Sequence, residues 1–320
     1  MQDKDADIIV IDPEAEYRAL IKNLGGEVIK ISANSNNHIN ALDINKDYGE
    51  GKSPLNDKAE FVLSLCEQIM GTDNGIGKDK SLIDRCVKIV YQDYENRKYQ
   101  GTPPTLEDFR KVLLRQPERE AKDIALSIEL FTKGSLNTFA KQTNVQVNNR
   151  IICYDIIDLG GQLMPIGMLV ILDSILNRIS KNRIQGKTTY IFIDEIYLLF
   201  KHSYTSFFIE KLWRRIRKYG GFATGITQNI ADILKNQKAT TMLSNSELVI
   251  MLNQSATDRK KLAELLQISE KELSFITNSG TGQGLIKVSN AIIPFKNIFP
   301  KNTELYKLMT TKPKEFEVQE

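Results

Sequence analysis

The sequence predicts an α/β protein built on a doubly wound, mostly parallel sheet. Short apolar runs typical of buried strands recur along the chain, and most of them alternate with stretches of helical periodicity. Polar residues follow several of these runs, where a parallel sheet gathers the loops that bind its ligands. These residues are Asp12, Asp155, Asp158, Asp194, Glu195 and Gln228.

Residues 1–55 carry the first two predicted strands. The segment Asp7–Asp12 (DIIVID) is a short apolar run, and EVIKI is the second strand. Between them, PEAEYRALIKNLGG has the spacing of a helix that ends at Gly25 and Gly26. We assign this part to the α/β core.

Residues 56–149 have a different hydrophobic pattern from the segments on either side. Segments such as DKAEFVLSLCEQIMG and TLEDFRKVLLRQ carry apolar residues at helical spacing, for example Phe61, Leu65 and Ile69. No convincing strand pattern occurs among them. The sequence therefore predicts an all-α insertion over residues 56–149.

Strand patterns resume after the insertion and place residues 150–300 in the same core as 1–55. The runs are RIICYDII, TTYIFID, FATGITQ and ELVIML, followed by a final pair, GLIKV and AIIPF. Residues 301–320 are predicted to form a C-terminal tail.

Composition excludes several classes of protein. The 43 basic and 40 acidic residues leave a net charge of +3, which is too balanced to indicate nucleic acid or membrane binding by itself. Three cysteines without a C-x-x-C pair, beside two histidines, argue against a zinc site or a disulfide framework. These features are typical of a reduced, intracellular protein.

Membrane insertion is not predicted either. No apolar run approaches the ~18 residues of a membrane span, and the first ten residues, MQDKDADIIV, lack the features of a signal peptide. We expect a location in the cytoplasm, or at the cytoplasmic side of a membrane.

The strongest chemical signal lies in TTYIFIDEIYLLF, residues Thr188–Phe200, where an apolar strand runs into Asp194 and Glu195. Many nucleotide-hydrolysing motors hold magnesium and a water with two such carboxylates, in the motif called Walker B. The alternative is a strand end whose carboxylates stabilise the N-terminus of the next helix.

A Walker B strand requires a partner, the phosphate loop G-x-x-x-x-G-K-[ST] between a strand and a helix. The segment Thr72–Ser81 fails as this loop because Thr72 replaces the first glycine and Asp79 the hydroxyl residue. Only six residues precede the first strand. We therefore expect the chain to begin just after the loop.

A second glycine cluster, Gly280–Leu285 (GTGQGL), leads into a strand and does not match a dinucleotide fingerprint. It is either a tight turn or a turn at the sheet edge whose Gly282 and Gly284 touch a nucleotide.

Three polar side chains outside the acidic pair are further candidates. Gln228 ends the strand after the Walker B strand and either senses a terminal phosphate or caps a helix. Arg217, on the basic helix EKLWRRIRKYGG, is either solvated or an arginine finger for a neighbouring subunit. Arg259 in NQSATDRKKLAELL ranks below it, because charges at helix starts are common.

Together the motifs resemble one family. IIVIDPEAEYRALIKNLGGEVIKIS, NALDI, SLIDRCVKIVY, YDIIDLGGQLMPIGMLVILDSILNRI, TTYIFIDEIYLLF and RKYGGFATGITQNIADIL occur in the order found in conjugation ATPases of type IV secretion systems. The chain is most similar to the TraE-like ATPases of Gram-positive conjugative elements, within the HerA–FtsK superfamily.

The resemblance implies a RecA-like P-loop NTPase core with an all-α insertion, and ATP with Mg²⁺ as cofactors. It implies that Asp194 helps to hold Mg²⁺, Glu195 activates water, Gln228 contacts the γ-phosphate and Arg217 is the finger. Gly282, Gly284 and Arg259 are assigned to nucleotide binding.

The resemblance also implies partners and a location. It indicates a homo-oligomer, often a hexamer, docked on secretion subunits at the inner face of the cell membrane, with DNA as a possible substrate. Family members carry a phosphate loop after an amino-terminal domain, so we expect this chain alone to be nearly inactive. Two alternatives are a nucleotide-free scaffold fragment and a DNA-pumping motor of the same superfamily.

Overall fold

The computed structural model describes residues 5–49, 53–71, 77–145, 147–228, 230–277 and 279–310. Contacts divide the chain into two compact units. The first comprises Met1–Asp194 and His202–Ile226, and the second comprises Glu195–Lys201 and Thr227–Glu320. This division into two units does not test the domain boundaries expected from the sequence, which stay a prediction.

The first unit contains a five-stranded sheet in the order β2-β3-β1-β4-β5, with every adjacent pair parallel. Its central strands are continuous apolar runs because both faces of a parallel sheet are covered. Every residue of β3 is buried. The strands are β1 (Asp7–Asp12), β2 (Glu27–Lys30), β3 (Ile151–Asp155), β4 (Thr189–Ile193) and β5 (Gly221–Gly225). The predicted α/β class is confirmed.

Eight α-helices are described in the first unit. Between residues 53 and 145, the described residues form helices and one 3-10 segment (Asn137–Phe139) but no strand. Whether 56–149 is a separable insertion stays a prediction. The helices are α1 (Arg18–Asn23), α2 (Pro54–Met70), α3 (Gly77–Asn96), α4 (Leu106–Leu114), α5 (Arg119–Ser127), α6 (Glu129–Thr132), α7 (Met164–Ile184) and α8 (Ser203–Arg215).

Buried polar contacts fasten the helical segment to α7. Lys58 on α2 forms an ion pair of 2.6 Å with Asp173 on α7, and the Tyr48 hydroxyl donates to the same carboxylate. All three side chains are buried. Loss of either partner would leave a buried charge without its counter-ion and would destabilise the protein. The ion pair therefore favours this one packing of α2 on α7.

The second unit contains a three-stranded antiparallel sheet, β6 (Leu248–Met251), β7 (Gln283–Val288) and β8 (Ala291–Lys296). Its α-helices are α9 (Ile230–Lys235), α10 (Gln237–Ser244), α11 (Ala256–Leu266), α12 (Glu270–Leu273) and α13 (Glu304–Met309). A core formed by Met251, Leu262, Leu266, Ile268, Ile276 and Leu285 joins one face of the sheet to its helices. The final ten residues of the predicted tail, 311–320, lie outside the described part of the chain.

The partner of β6 differs from the sequence expectation. The sequence places Leu248–Met251 among the strands that alternate with helices, whereas the structure pairs it antiparallel with β7. A two-residue turn then joins β7 to β8, with Ser289 in the left-handed region at a φ of 51°. An apolar run predicts a buried strand but specifies neither its partner nor its direction.

Candidate functional site

The carboxyl end of the parallel sheet gathers acidic side chains from three adjacent strands. Asp12 and Asp155 are paired in register at the ends of β1 and β3. Asp194 directly follows β4, and its backbone N–H donates to the Ile11 carbonyl at 3.1 Å. The sequence expectation that these three carboxylates meet at one edge of the sheet is therefore met within the first unit.

The order of the strands creates a crevice at this edge. The connection after β1 leads to β2 on one side of the sheet, and the connection after β4 leads to β5 on the other. Such a reversal leaves an opening between the two strands where α/β proteins bind ligands. Asp12 is the last residue of β1 and Asp194 directly follows β4, so this crevice is the candidate site.

Hydrogen bonds hold the β1 side of the crevice. Asp12 is fully buried and accepts the backbone N–H groups of Glu16 at 3.1 Å and Tyr17 at 3.0 Å. The neighbouring Asp155 accepts from Arg18 at 2.6 Å. These contacts position α1 directly after the carboxyl end of β1.

Two neutral side chains report the negative potential of this edge. Burial raises the pKa of Tyr17, and the charges of Asp194, Asp12 and Glu16 raise it further. Burial also raises the pKa of the Cys153 thiol, together with Asp12 and Asp155. Arg18 pairs with Asp155 at this edge, whereas Asp12 and Asp194 add two further negative charges, so the edge favours a cation over an additional negative charge.

Glu195 has an unusual backbone conformation. Its φ of 45° and ψ of 47° lie in the left-handed region, which side-chain-bearing residues rarely occupy. The side chain is buried, with 8% of its surface exposed, and the residue precedes a 3-10 segment, Ile196–Phe200. Glu195 makes no side-chain capping hydrogen bond to this segment. Because Glu195 stands at the N-cap position of this segment, both interpretations of its carboxylate stay predictions.

The predicted site residues are divided between the two units. Arg217 is exposed in a 3-10 segment, Ile216–Tyr219, that follows α8. Gln228 is exposed after β5, and Arg259 lies half-exposed in the first turn of α11. The first unit holds Asp194 and Arg217, and the second holds Glu195, Gln228, Arg259, Gly282 and Gly284. Their functional roles stay predictions.

The two glycines of the second unit have a packing explanation. A Cβ on Gly282, whose φ is 75°, would lie 2.1 Å from the Asn297 carbonyl oxygen. A Cβ on Gly284 would lie 2.0 Å from the Met251 carbonyl oxygen. Close approach of neighbouring strands therefore requires glycine at both positions, without any reference to a nucleotide.

The described residues do not form a phosphate loop. In Thr72–Ser81, residues 72–76 lie outside the described part, and α3 begins at Gly77. The sequence also holds two G-K-[ST] triplets, at 51–53 and 186–188. Each has a lysine at the position of the first glycine, and residues 51–52 are not described.

The triplet at 186–188 has a structural role at the opposite end of the sheet. It leads into β4, and Lys187 forms an ion pair of 2.5 Å with Asp7 at the start of β1. Arg178 and Asn182 donate to the same buried carboxylate at 2.6 and 2.8 Å. Burial alone would raise the pKa of Asp7, but these donors and the charge of Arg178 outweigh it and lower the pKa.

None of the helices within the described ranges is both long and apolar enough to cross a membrane.

Comparison with known proteins gives one family and two related folds. A family model for the TraG P-loop domain matches residues 105–294. The structure is similar to VirB4 of Thermoanaerobacter pseudethanolicus, with a TM-score of 0.78 and 20% identity, over 93% of this chain and 83% of that one. It is also similar to the bacterial conjugative coupling protein TrwBdeltaN70, with a TM-score of 0.50 and 12% identity, over 93% of this chain and 87% of that one. At these identities the two structures show a shared fold. No curated protein sequence matches.

Proposed function

The chain belongs to the TraG P-loop domain family, and from this premise we propose that it is the C-terminal ATPase domain of a conjugative type IV secretion motor. Its activity couples ATP hydrolysis to assembly of the transfer apparatus or to transfer of DNA or protein. Structural similarity to VirB4 and to a conjugative coupling protein supports this proposal.

One observation carries the proposal. An interior strand of the parallel sheet, β4, ends at the crevice beside β1 and is followed by Asp194 and then by Glu195 in the left-handed region. A left-handed conformation costs a residue with a side chain about 1 kcal/mol or more, and such strain is concentrated at functional sites.

In the proposed site, Asp194 is the protein ligand of Mg²⁺. Among the described residues no group of three or more His, Cys, Asp or Glu side chains is arranged to hold a metal. Magnesium in nucleotide sites takes one or two carboxylates and completes its shell with substrate phosphates and water, so the proposal assigns it a single aspartate. The negative potential around Tyr17 also favours a cation at this edge.

The remaining residues act on water and phosphate. Glu195 accepts a proton from the attacking water, and Gln228 contacts the γ-phosphate side. Arg217, exposed after α8, reaches the nucleotide of a neighbouring subunit in a homo-oligomer such as a hexamer. Arg259, Gly282 and Gly284 have secondary roles in nucleotide binding. The assembly docks on secretion subunits at the inner face of the membrane.

The 320 residues by themselves bind the triphosphate weakly. They contain no complete G-x-x-x-x-G-K-[ST] motif, and the acidic edge repels phosphate unless Mg²⁺ is held. Each charge-assisted hydrogen bond from a phosphate loop contributes roughly 1.5–3 kcal/mol, so losing three weakens binding by about a thousandfold or more.

Calorimetry with Mg-ATP tests the proposal on two proteins, the 320-residue chain and a longer one that carries a phosphate loop before residue 1. We expect micromolar binding only by the longer protein. Micromolar binding by the short chain would contradict this account, and Gly280–Gly284 would then be the first candidate for the segment that binds the phosphates. No binding by either protein would favour the scaffold alternative.

A further inference from the structure

The residues that follow Glu195 form a short 3-10 segment, Ile196–Phe200, within the second unit. Its backbone hydrogen bonds begin at Glu195 itself. The Leu198 N–H donates to the Glu195 carbonyl at 2.9 Å, and the Lys201 N–H donates to the Leu198 carbonyl at 3.4 Å. The conformation of the 3-10 segment therefore determines where the backbone of Glu195 lies.

The left-handed conformation of Glu195 has to be held by the structure around it. This conformation is disfavoured by a factor of about five or more for a residue with a side chain, and it persists only where its surroundings determine it. Ile196 and Leu199 are buried, and the 3-10 segment contacts α9 and α10 of the same unit. This packing supplies one part of the constraint.

A hydrogen bond from Asn236 supplies a directed contact at the far end of the 3-10 segment. Asn236 lies between α9 and α10, and its side-chain N–H donates to the Phe200 carbonyl at 3.3 Å. The last carbonyl groups of a helical turn have no partner within the turn, so a side-chain donor from outside can fix their position. Asn236 thus connects the segment after Glu195 to the two helices that follow Gln228.

The same side chain has a second role, which can be separated from the first. Its carbonyl oxygen accepts the backbone N–H groups of Lys238 at 3.0 Å and Ala239 at 3.2 Å, and it thereby caps α10. Aspartate and serine cap helices about as well as asparagine does. Ionised aspartate has no donor, and the serine hydroxyl lies one bond nearer to the backbone. The donor to Phe200 can therefore be removed while the cap is kept.

We propose that Asn236 is a positioning residue for Glu195. Its side-chain N–H fixes the 3-10 segment and, through that segment, the left-handed conformation that presents the Glu195 carboxylate. Both residues belong to the second unit, so the link is internal to one compact part of the chain. This inference rests on the proposed function, in which Glu195 accepts a proton from the attacking water.

Hydrogen exchange of the 320-residue chain tests the link without any measurement of activity. Asn236→Asp and Asn236→Ser should each speed exchange of the Leu198 and Lys201 amides by about three- to tenfold, the factor that corresponds to one net hydrogen bond. Ser269→Ala, which removes the cap of α12 in the same unit, is the matched control and should leave these amides unchanged. Unchanged exchange in both Asn236 variants would overturn the proposal.

Steady-state kinetics of the longer protein with a phosphate loop test the consequence for turnover. Asn236→Asp and Asn236→Ser should each lower kcat by about three- to tenfold and leave KM unchanged, because Glu195 acts only in the transition state. In a Glu195→Gln background neither substitution should lower kcat further, because the base through which Asn236 acts is already absent. Urea unfolding should show the same stability for both variants as for the wild type, since the cap of α10 is kept.

The outcomes separate this inference from the proposed function. If Glu195→Gln lowers turnover but folded Asn236→Asp and Asn236→Ser do not, the positioning role is wrong and the proposed function stands. A loss of kcat that is equally large with and without the Glu195 carboxylate would also overturn the positioning role. If Glu195→Gln leaves turnover unchanged, the proposed function fails, and the role of Asn236 in positioning a base fails with it.

Discussion

The two ends of β1 carry the same residue type in opposite electrostatic settings. Asp7, at the amino end, is buried against Arg178, Lys187 and Asn182. Asp12, at the carboxyl end, is equally buried but accepts two backbone N–H groups, and further carboxylates follow the neighbouring strands. One carboxylate has its charge balanced within the protein, and the other contributes to a negative edge.

This difference separates a structural carboxylate from one at a binding site. The cations around Asp7 lower its pKa and stabilise the ionised form, so no bound ion is needed to balance its charge. At the other end, burial raises the pKa of Tyr17 most, and the charges of Asp194, Asp12 and Glu16 raise it further; a bound cation would balance those charges. Burial of an aspartate alone therefore does not identify a site, whereas the surrounding charge does.

The largest expected effect lies at the carboxyl end. In a protein that carries a phosphate loop, Glu195→Gln keeps the side-chain shape but removes the base, so turnover should fall by roughly 10²–10⁴-fold while ATP still binds. Steady-state hydrolysis and nucleotide binding measure the two quantities. The exposed Glu247→Gln is the matched control. Unchanged turnover would mean that Glu195 is a structural carboxylate, as Asp7 is.

At the amino end the expected effect is on stability. Asp7→Asn keeps one acceptor but leaves Arg178 and Lys187 without the charge they contact, and the free energy of unfolding should fall by about 3 kcal/mol. Urea unfolding at pH 7 gives the value. A loss under 1 kcal/mol would show that the cluster is not a stabilising contact.

The contribution of Asp7 should also depend on pH. A carboxylate whose pKa is lowered by folding stabilises the protein above its unfolded pKa of about 3.9, and this stabilisation is lost as the pH falls through the folded pKa. The stability difference between the wild type and Asp7→Asn should therefore be constant from pH 7 to 5 and shrink in more acidic solution. Urea unfolding across this range measures it, and a difference that grows in acid would contradict the assignment.

The smallest expected effect is at Asp12. Asp12→Asn keeps one carbonyl oxygen, which can accept from either the Glu16 or the Tyr17 N–H but not from both, and it removes one negative charge from the acidic edge. Stability should fall by about 1–2 kcal/mol, because one buried N–H loses its acceptor. A loss equal to that of Asp7→Asn would remove the contrast between the two ends of the strand.

Much of the parallel sheet could be predicted from local sequence. Apolar runs with polar ends identified β1, β3, β4 and β5, and a parallel sheet brings the ends of such strands to one edge. This reasoning located Asp12, Asp155 and Asp194 without coordinates. The partner of β6 could not be predicted in this way, because an apolar strand pairs equally well in either direction.

Motif spacing was less informative about glycines and lysines. For Gly282 and Gly284 the sequence allowed either a tight turn or a nucleotide contact, and close approach of Asn297 and Met251 is sufficient to require glycine there. Lys187 belongs to a G-K-T triplet, but its role is explained by its contact with Asp7, 180 positions away in the chain. A short motif does not show which distant group a side chain meets.

The sequence by itself determined the strands, the helices between them and the acidic residues at the strand ends, because these depend on hydrophobic periodicity along the chain. Only the tertiary structure decided which buried carboxylate is neutralised, since that depends on cations brought together from distant segments. It also decided the left-handed backbone of Glu195. The hydrophobic pattern along the chain sets the local preference for helix or strand. Charge balance and solvent exposure depend on how distant segments pack together.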